Sequence, residues 1–569
     1  MRELILTGYE KFWPKDREAE NNALYLGPWC FAGNKKRTFL EQTHFDLAKP
    51  PWENWDEIKK ELEYTELLTL RLMPILASYA NDKNHVVESD LFWKKILLPW
   101  VSIWLQNFYD RYKRIETTLV SGEVFTVKIA KNYNRSTVDY LDFIHGYRSH
   151  AYNLFLMSSL IRHSSFNKSL IVEEHDIEIQ PYSKVKDSFG DLIHRLINLL
   201  PFPLYMESVY GINFLEEFYF QIKTLFSGKR KNLSHQPSDK NQMTEVLSDS
   251  KEFIPESDFE SIVIKEIWKY IPIDLLAYRK SGRIKKLIIG NNYFNSDFQY
   301  RVAHSAIRGG KWISFQHGGG YGEFKLWPQG FIEYWNADGF ITWGWKEHLY
   351  TANFQALSSP KLSKSEKYQN RDGNLIYVST MHPAYCMRFQ SALLPEQQLQ
   401  FIMNTKTFFE TIEKNILKNA YYRPYSDLGQ GAQHILKNLI ADDHTITSGT
   451  IIPHLKKCRL AVIDHMATSF HETLVMGTPT IMFWDPSHFG ENPKAKIYFD
   501  KLRHAGILFN DASSAAAKVN EIWNGIDSWW NSKQVRLAVE EFCNEFARTN
   551  PKWKREWAGF ISRELQTVR

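Results

Sequence analysis

The residues whose types and spacing best suit chemistry run Asp464-His465-Met466-Ala467-Thr468-Ser469-Phe470-His471-Glu472-Thr473-Leu474-Val475-Met476-Gly477-Thr478-Pro479-Thr480-Ile481. They read as the end of a buried strand (Leu460 to Ile463), a loop of small polar residues, one short helix, a Gly-Thr-Pro turn and another strand. A helix N-terminus offers free backbone N–H groups and a positive dipole end to an anion. Thr468 and Ser469 stand where this helix would begin, His465 just before it, and Glu472 one turn in, within reach of a ribose hydroxyl. The arrangement suits the phosphate and ribose of an activated sugar. A plainer reading competes with it. Ser469-x-x-Glu472 is also a capping box, in which the two side chains satisfy each other's backbone donors.

A second string, Gln316-His317-Gly318-Gly319-Gly320-Tyr321-Gly322, follows a strand directly. Its glycines let backbone approach a ligand closely, and successive N–H groups can form an anion nest. His317 could donate to a phosphate or carboxylate, with Gln316 beside it. The string is not a P-loop, because the Gly-Lys-Ser/Thr ending is missing. Arg423 ends a strand in Tyr421-Tyr422-Arg423-Pro424-Tyr425, where a guanidinium can give two parallel hydrogen bonds to an anion. His382-Pro383 follows the preceding strand and is a weaker candidate for a phosphate. Two carboxylates stand near the Gln316 loop in sequence. Asp297 opens a helix after an Asn-rich loop, and Glu333 precedes Trp335-Asn336-Ala337-Asp338. Glycosyl transfer needs a carboxylate as nucleophile or a base for the acceptor hydroxyl. Asp297 and Glu333 are the candidates, with a helix cap and an ordinary exposed residue as the plain alternatives.

These residues need rigid elements to hold them. At 569 residues the chain is too long for one compact core. A net charge of +5 with no dense Lys/Arg stripe argues against a nucleic-acid partner. The 15% aromatic share, with 19 Trp, can line carbohydrate sites but is more often core mass. The four cysteines are far apart and indicate neither a zinc site nor a disulfide framework. Met1 to Thr7 reads as a short strand rather than a signal peptide. The apolar patch Ile96 to Leu105 contains Pro99, is too short to span a bilayer, and reads as a core helix with a proline break. The expected location is cytoplasmic, compatible with peripheral contact at the inner face of the membrane.

Helical periodicity covers residues 55 to 115, with Pro74 an expected kink. Residues 120 to 130 read as strand and 138 to 161 as helix. Residues 227 to 251 are polar and weakly patterned and read as a surface insertion. Strands and helices then alternate in two series. The first has strands at Lys286 to Ile289, Trp312 to Phe315 and Phe340 to Trp343. The second has strands at Leu375 to Val378, Ala420 to Pro424 and Leu460 to Ile463, with a long helix from Glu396 to Lys418. Such alternation predicts an α/β fold with parallel sheets. The split near residue 370 divides the chain into an N-terminal Rossmann-like domain with helical insertions (1–370) and a C-terminal nucleotide-binding one with terminal helices (371–569), facing a cleft.

Taken together, Phe315-Gln316-His317-Gly318-Gly319-x-Tyr321-Gly322, Glu333, Thr342-Trp343-Gly344-Trp345, His465-Met466-Ala467-Thr468-Ser469-x-x-Glu472 and Gly477-Thr478-Pro479 resemble a family of bacterial surface-polysaccharide (O-antigen and capsule) transferases. Leu26-Gly27-Pro28-Trp29-Cys30 fits the same family. That family is similar to the retaining β-Kdo transferases of glycosyltransferase family 99. The resemblance implies a GT-B-like fold, a CMP-activated ulosonic acid donor (Kdo, or a pseudaminic or legionaminic type), a surface polysaccharide or lipid-linked glycan as acceptor, no cofactor and no metal. It also implies a covalent Asp nucleophile at a strand-to-helix junction, and Asp297 matches by position. In this reading Arg423, His465, Thr468, Ser469 and Glu472 hold the nucleotide, while Gln316, His317, Gly318 and Gly319 hold the sugar or its carboxylate. Competing readings are a teichoic-acid-type polyol-phosphate transferase, a nucleotide-sugar epimerase, and a non-catalytic glycan-assembly scaffold.

Overall fold

The computed structural model describes residues 1–568 except 34–36, 38, 132–135, 178–199, 201, 208, 226–252, 281, 348–352, 370–372, 381–382, 390–392 and 426–438. The polar segment 227–251 and His382 therefore lie outside the described residues. The chain is α/β, and its described residues form three five-stranded parallel sheets.

The first sheet holds β1 (Arg2–Ile5), β2 (Ala23–Tyr25), β3 (Asp46–Leu47), β4 (Phe125–Ala130) and β5 (Leu170–His175), in the order β3-β2-β1-β4-β5. The second holds β6 (Leu204–Glu207), β7 (Leu287–Gly290), β8 (Lys311–Phe315), β9 (Gly339–Thr342) and β10 (Asn353–Ala356), with neighbours in chain order. The third holds β11 (Leu375–Val378), β12 (Ala420–Arg423), β13 (Leu460–Ile463), β14 (Thr480–Phe483) and β15 (Leu508–Phe509), in the order β12-β11-β13-β14-β15. The sequence reading expected one sheet before residue 370, and the described residues there form two. Leu26 to Cys30 belongs to the first sheet's core: the Trp29 indole donates to the Leu6 carbonyl at 2.9 Å, and Cys30 is fully buried.

Two long helices follow β3, α1 (Trp55–Asn84) and α2 (Asp90–Leu119). Both run through their prolines, so Pro74 and Pro99 do not divide them. Proline in a helix interior costs a hydrogen bond and a steric clash, about 3 kcal/mol. Burial offsets this in α2, where Trp93, Trp100 and Trp104 are all fully enclosed. The α2 helix packs on α1 and on α3 (Ser296–Ala306). Residues 138 to 161, expected as one helix, form two, Tyr140–Gly146 and His150–His163, with Ser149 capping the second.

The second and third sheets share a hydrophobic core. Tyr321, Phe324, Phe340 and Trp345 cluster with Ile463, Met466, Phe470 and Trp484. The C-terminal helix, α5 (Trp553–Thr567), follows α4 (Thr468–Met476) in the chain's second half but does not stay with the third sheet. Its Trp553, Trp557, Phe560 and Ile561 pack on Leu287, Ile289, Ile313, Phe315 and Ile341 of the second sheet.

Candidate active site between the second and third sheets

In a doubly wound sheet the ligand crevice opens where the strand order reverses, at the carboxyl ends of the strands. The first and third sheets each have such a point. In the first, protein packs closely just beyond the end of β1. A Cβ on Gly8 would lie 2.6 Å from the Cys30 carbonyl and 2.7 Å from the His150 ring, and His150 Nδ1 lies 2.6 Å from the Tyr385 hydroxyl. In the third, between β11 and β13, a cavity of about 630 Å³ is open. Ser379 and Thr380 line it after β11, His465 after β13, Arg423 at the end of β12, and Thr468 and Ser469 at the start of α4.

The cavity is built to face an anion. The N-cap of α4 is Ala467, which has no side-chain acceptor. The first N–H groups of the helix therefore lack a side-chain cap. This removes the Ser469–Glu472 capping box. Thr468 Oγ1 turns the other way and accepts from Gly319 N at 3.0 Å. The Arg423 guanidinium donates to the carbonyls of Ile446 (2.9 Å), Ser448 (3.2 Å) and Gly449 (2.9 Å), and has no carboxylate partner among the described residues. Its charge is thus held in place without being neutralised. His465 Nδ1 lies 2.8 Å from Asp464 Oδ1. The same buried carboxylate accepts from Tyr377 (2.9 Å) and Ser379 (2.6 Å) through Oδ2. A carboxylate at Nδ1 fixes the proton there and leaves Nε2 for a ligand. Tyr425, 57% exposed, stands on the cavity wall.

Across from this cavity, the Gln316 loop leaves β8 and docks on α4. Gly319 is needed for that approach, since a Cβ there would lie 2.6 Å from Ala467 C and from His471 Cε1. The Glu323 carboxylate meets His471 Nε2 at 2.5 Å, and both side chains are fully buried. Gln316 is also structural. Its Oε1 accepts from Trp343 N (2.9 Å) and the Trp345 indole (2.8 Å), and its Nε2 donates to the Gly318 carbonyl (2.8 Å). These hydrogen bonds tie the Gln316 amide into the loop, and a Cβ on Gly318 would lie 2.9 Å from Thr468 Oγ1.

His317 and Glu333 are brought together. The His317 side chain is exposed, yet protein crowds the ring. Loss of hydration, with the Arg388 charge nearby, pushes its imidazole down to about 4. Its Nδ1 lies 2.9 Å from Asn291 Nδ2 and 2.7 Å from the Tyr321 hydroxyl. Glu333 is fully buried in the π-helical turn Phe331–Trp335. It accepts from Asn291 (3.2 Å), Tyr321 (3.1 Å) and Trp327 (3.5 Å). Burial pushes its carboxyl up to about 7, against these hydrogen bonds, which favour the ionised form.

Two sequence candidates lie elsewhere. Asp297 is the second residue of α3, which Asn295 caps, and it pairs with Arg279 on the exposed surface. It is neither the cap nor a cleft carboxylate, because the first turn of α3 turns it outward. Glu472 is buried against Lys361, in the short helix Pro360–Ser363, and is not part of the cavity wall. Asp464, Ser379, Thr380, Asn291 and Tyr321 were missed. Asp464 and Tyr321 stand in the strings already singled out and Asn291 directly follows β7, which was the available signal. Among the described residues no group of three His, Cys, Asp or Glu side chains is placed to hold a metal ion. No described helix is long and apolar enough to cross a membrane.

A family model for the LIC12162 family transferase matches residues 2–561. The chain belongs to this transferase family. No curated protein matches it. Among solved structures it is similar to a Thermobaculum terrenum O-GlcNAc transferase mutant (11% identity, 88% of this chain and 98% of that one, TM-score 0.32). It is also similar to TarM (13% identity, 48% of this chain, TM-score 0.30) and to the spinosyn forosaminyltransferase SpnP (9% identity, 49% of this chain and 76% of that one, TM-score 0.27). The chain spans about half of TarM, 54%.

Proposed function

We propose that this LIC12162 family transferase is a glycosyltransferase that moves an ulosonic acid from a CMP-activated donor to a hydroxyl of a bacterial surface polysaccharide or lipid-linked glycan. The observation that carries the reading is the open cavity at the third sheet's switch point, where the uncapped start of α4, Arg423 and His465 converge. The donor's phosphate would sit on the α4 N–H groups and Arg423, with the nucleoside towards Tyr425. Its sugar would lie towards His317, across the Gly319–Thr468 contact. With Asp297 in a surface ion pair and Glu333 enclosed, the proposal assigns no covalent nucleophile.

Nucleotide protection tests the reading. CMP should raise the melting temperature while UDP leaves it unchanged, and Arg423→Ala should weaken CMP binding by about 1.5–3 kcal/mol, as for a hydrogen bond to a charged group. Hydrolysis of CDP-glycerol without transfer from CMP-ulosonates would replace this reading with a polyol-phosphate transferase. Absence of any nucleotide effect would leave a non-catalytic role.

A further inference from the structure

Glu333 is shut away from solvent, yet one hydroxyl separates it from the imidazole of an exposed residue, His317. Glu333 Oε1 lies 3.1 Å from the Tyr321 hydroxyl, and that hydroxyl lies 2.7 Å from His317 Nδ1. Asn291 Nδ2 spans the same gap, within reach of Glu333 Oε1 (3.2 Å), His317 Nδ1 (2.9 Å) and the Phe315 carbonyl (3.1 Å). The Phe315 carbonyl can only accept, so the atom facing all three is the amide nitrogen. It has two hydrogens for three acceptors. One acceptor must be free of it at any moment.

We infer that Tyr321 is a proton relay between Glu333 and His317, so that Nε2 of the exposed His317 ring is a base when Glu333 is ionised and an acid when Glu333 is protonated. This rests on the proposed transfer to a hydroxyl acceptor. With Glu333 ionised, the Asn291 hydrogens go to Phe315 and Glu333. Tyr321 donates to Glu333 and accepts from Nδ1–H, and Nε2 carries a lone pair. With Glu333 protonated, its O–H donates to Tyr321, and Tyr321 donates to the single lone pair of Nδ1. Nε2 then carries the hydrogen.

In the transfer step the acceptor hydroxyl gives its proton to Nε2. The Nδ1 proton passes to the Tyr321 oxygen, and the Tyr321 proton passes to Glu333 Oε1. The acceptor oxygen bonds to the anomeric carbon as the bond from that carbon to the phosphate oxygen breaks, and the electron pair leaves with CMP. One proton has moved from acceptor to Glu333, and it returns to solvent by the reverse route. The groups facing Glu333 suit this. Tyr293 and Tyr321 are held well above the ordinary phenol range by burial, so their hydroxyls stay protonated. Arg388 acts on His317 and Tyr293 as the nearby positive charge. Glu333 itself, at about 7, exchanges a proton near neutrality.

Tyr321 acts through His317, so its test needs a readout that packing alone would not move. In the ¹⁵N-histidine NMR spectrum of the full chain, assigned with His317→Gln, the His317 tautomer should change from Nε2–H to Nδ1–H between about pH 5 and about pH 9. The change should be absent in Tyr321→Phe and in Glu333→Gln. In wild-type protein alone, the infrared carboxylic-acid band that Glu333→Gln removes should disappear over the same pH interval, a measurement that stands if Tyr321→Phe does not fold. A single His317 tautomer throughout, an unaltered switch in Tyr321→Phe, or a carboxyl band that vanishes in a separate interval would overturn the relay. With CMP-ulosonate donor, Tyr321→Phe should slow transfer about 10²-fold at unchanged CMP affinity. A tautomer switch without transfer from any CMP-ulosonate would support the relay and reject the donor class instead.

Discussion

At the scale of single residues, the carboxylates that attract attention in the sequence are sorted by what surrounds them. Asp297 has the position of a nucleophile and the environment of a surface charge. Its side chain is 55% exposed and pairs with an Arg279 that is 35% exposed. Exposed pairs contribute roughly 0–1 kcal/mol. Asp297→Ala should therefore leave transfer near the wild-type rate and the melting temperature almost unmoved. Glu472 is the converse case. It is buried against Lys361, whose ammonium also meets the Tyr210 hydroxyl. Glu472→Ala should leave CMP affinity unchanged, measured by calorimetry, while lowering stability by about 1–3 kcal/mol because Lys361 loses its counter-charge. A loss of CMP affinity in a folded Glu472→Ala protein would put that carboxylate back in the nucleotide site.

At the scale of elements, the loop after β8 and the start of α4 act as one unit. Gly319 lets them touch, Thr468 accepts from its N–H, and the Glu323–His471 pair closes the contact inside the protein. Gly319→Ala would press a methyl group into Ala467 and the His471 ring. Such overpacking costs about 1–3 kcal/mol, and here it would also shift His317 relative to the cavity. We expect a lower melting temperature and, in the folded fraction, a larger loss of transfer than of CMP binding. Wild-type turnover in the Gly319→Ala protein would show that the contact does not align the two halves. This junction was partly legible in the sequence. Continuous apolar runs such as Leu375–Val378 and Leu460–Ile463 mark strands buried on both faces, and they fell where the structure has β11 and β13. In the first sheet only β1 and β4 were legible; β2 and β3 have three and two residues, and β5 exposes Ile171 and Val172. The tie from Asn291 to Glu333 spans 42 residues and arises only when β7 and the turn after β8 are side by side. The plainer capping-box alternative fails because, although Ser469 and Glu472 have the right spacing, the backbone begins the helix two residues earlier than that pairing requires, with Ala467 as N-cap.

At the scale of the whole molecule, the buried carboxyls couple stability to pH, and Glu333 can be isolated from the rest. Burial pushes Glu66 and Glu217 up to about 8 and Glu333 to about 7, from an ordinary 4.5. At low pH, folded and unfolded chains both hold these protons. As pH rises past the ordinary value, the unfolded chain releases them first. The folded chain then binds more protons, so stability falls with rising pH until the folded carboxyls ionise. Histidines act with the opposite sign. His317 is held near 4 in the fold against an ordinary 6.5, so its contribution is present above 6.5 and is lost as pH falls towards 4. The two effects overlap, and a wild-type curve alone mixes them. The difference between wild type and Glu333→Gln separates them, because the amide removes one titrating proton and keeps the shape. In denaturant unfolding followed across pH, wild type should lose stability relative to Glu333→Gln between about pH 5 and about pH 7. The slope should approach 1.4 kcal/mol per pH unit, the value for one proton. Parallel curves across that interval would mean that Glu333 ionises in the fold as it does in the unfolded chain. An enclosed carboxyl on one side of the cleft would then offer no place to store the acceptor's proton.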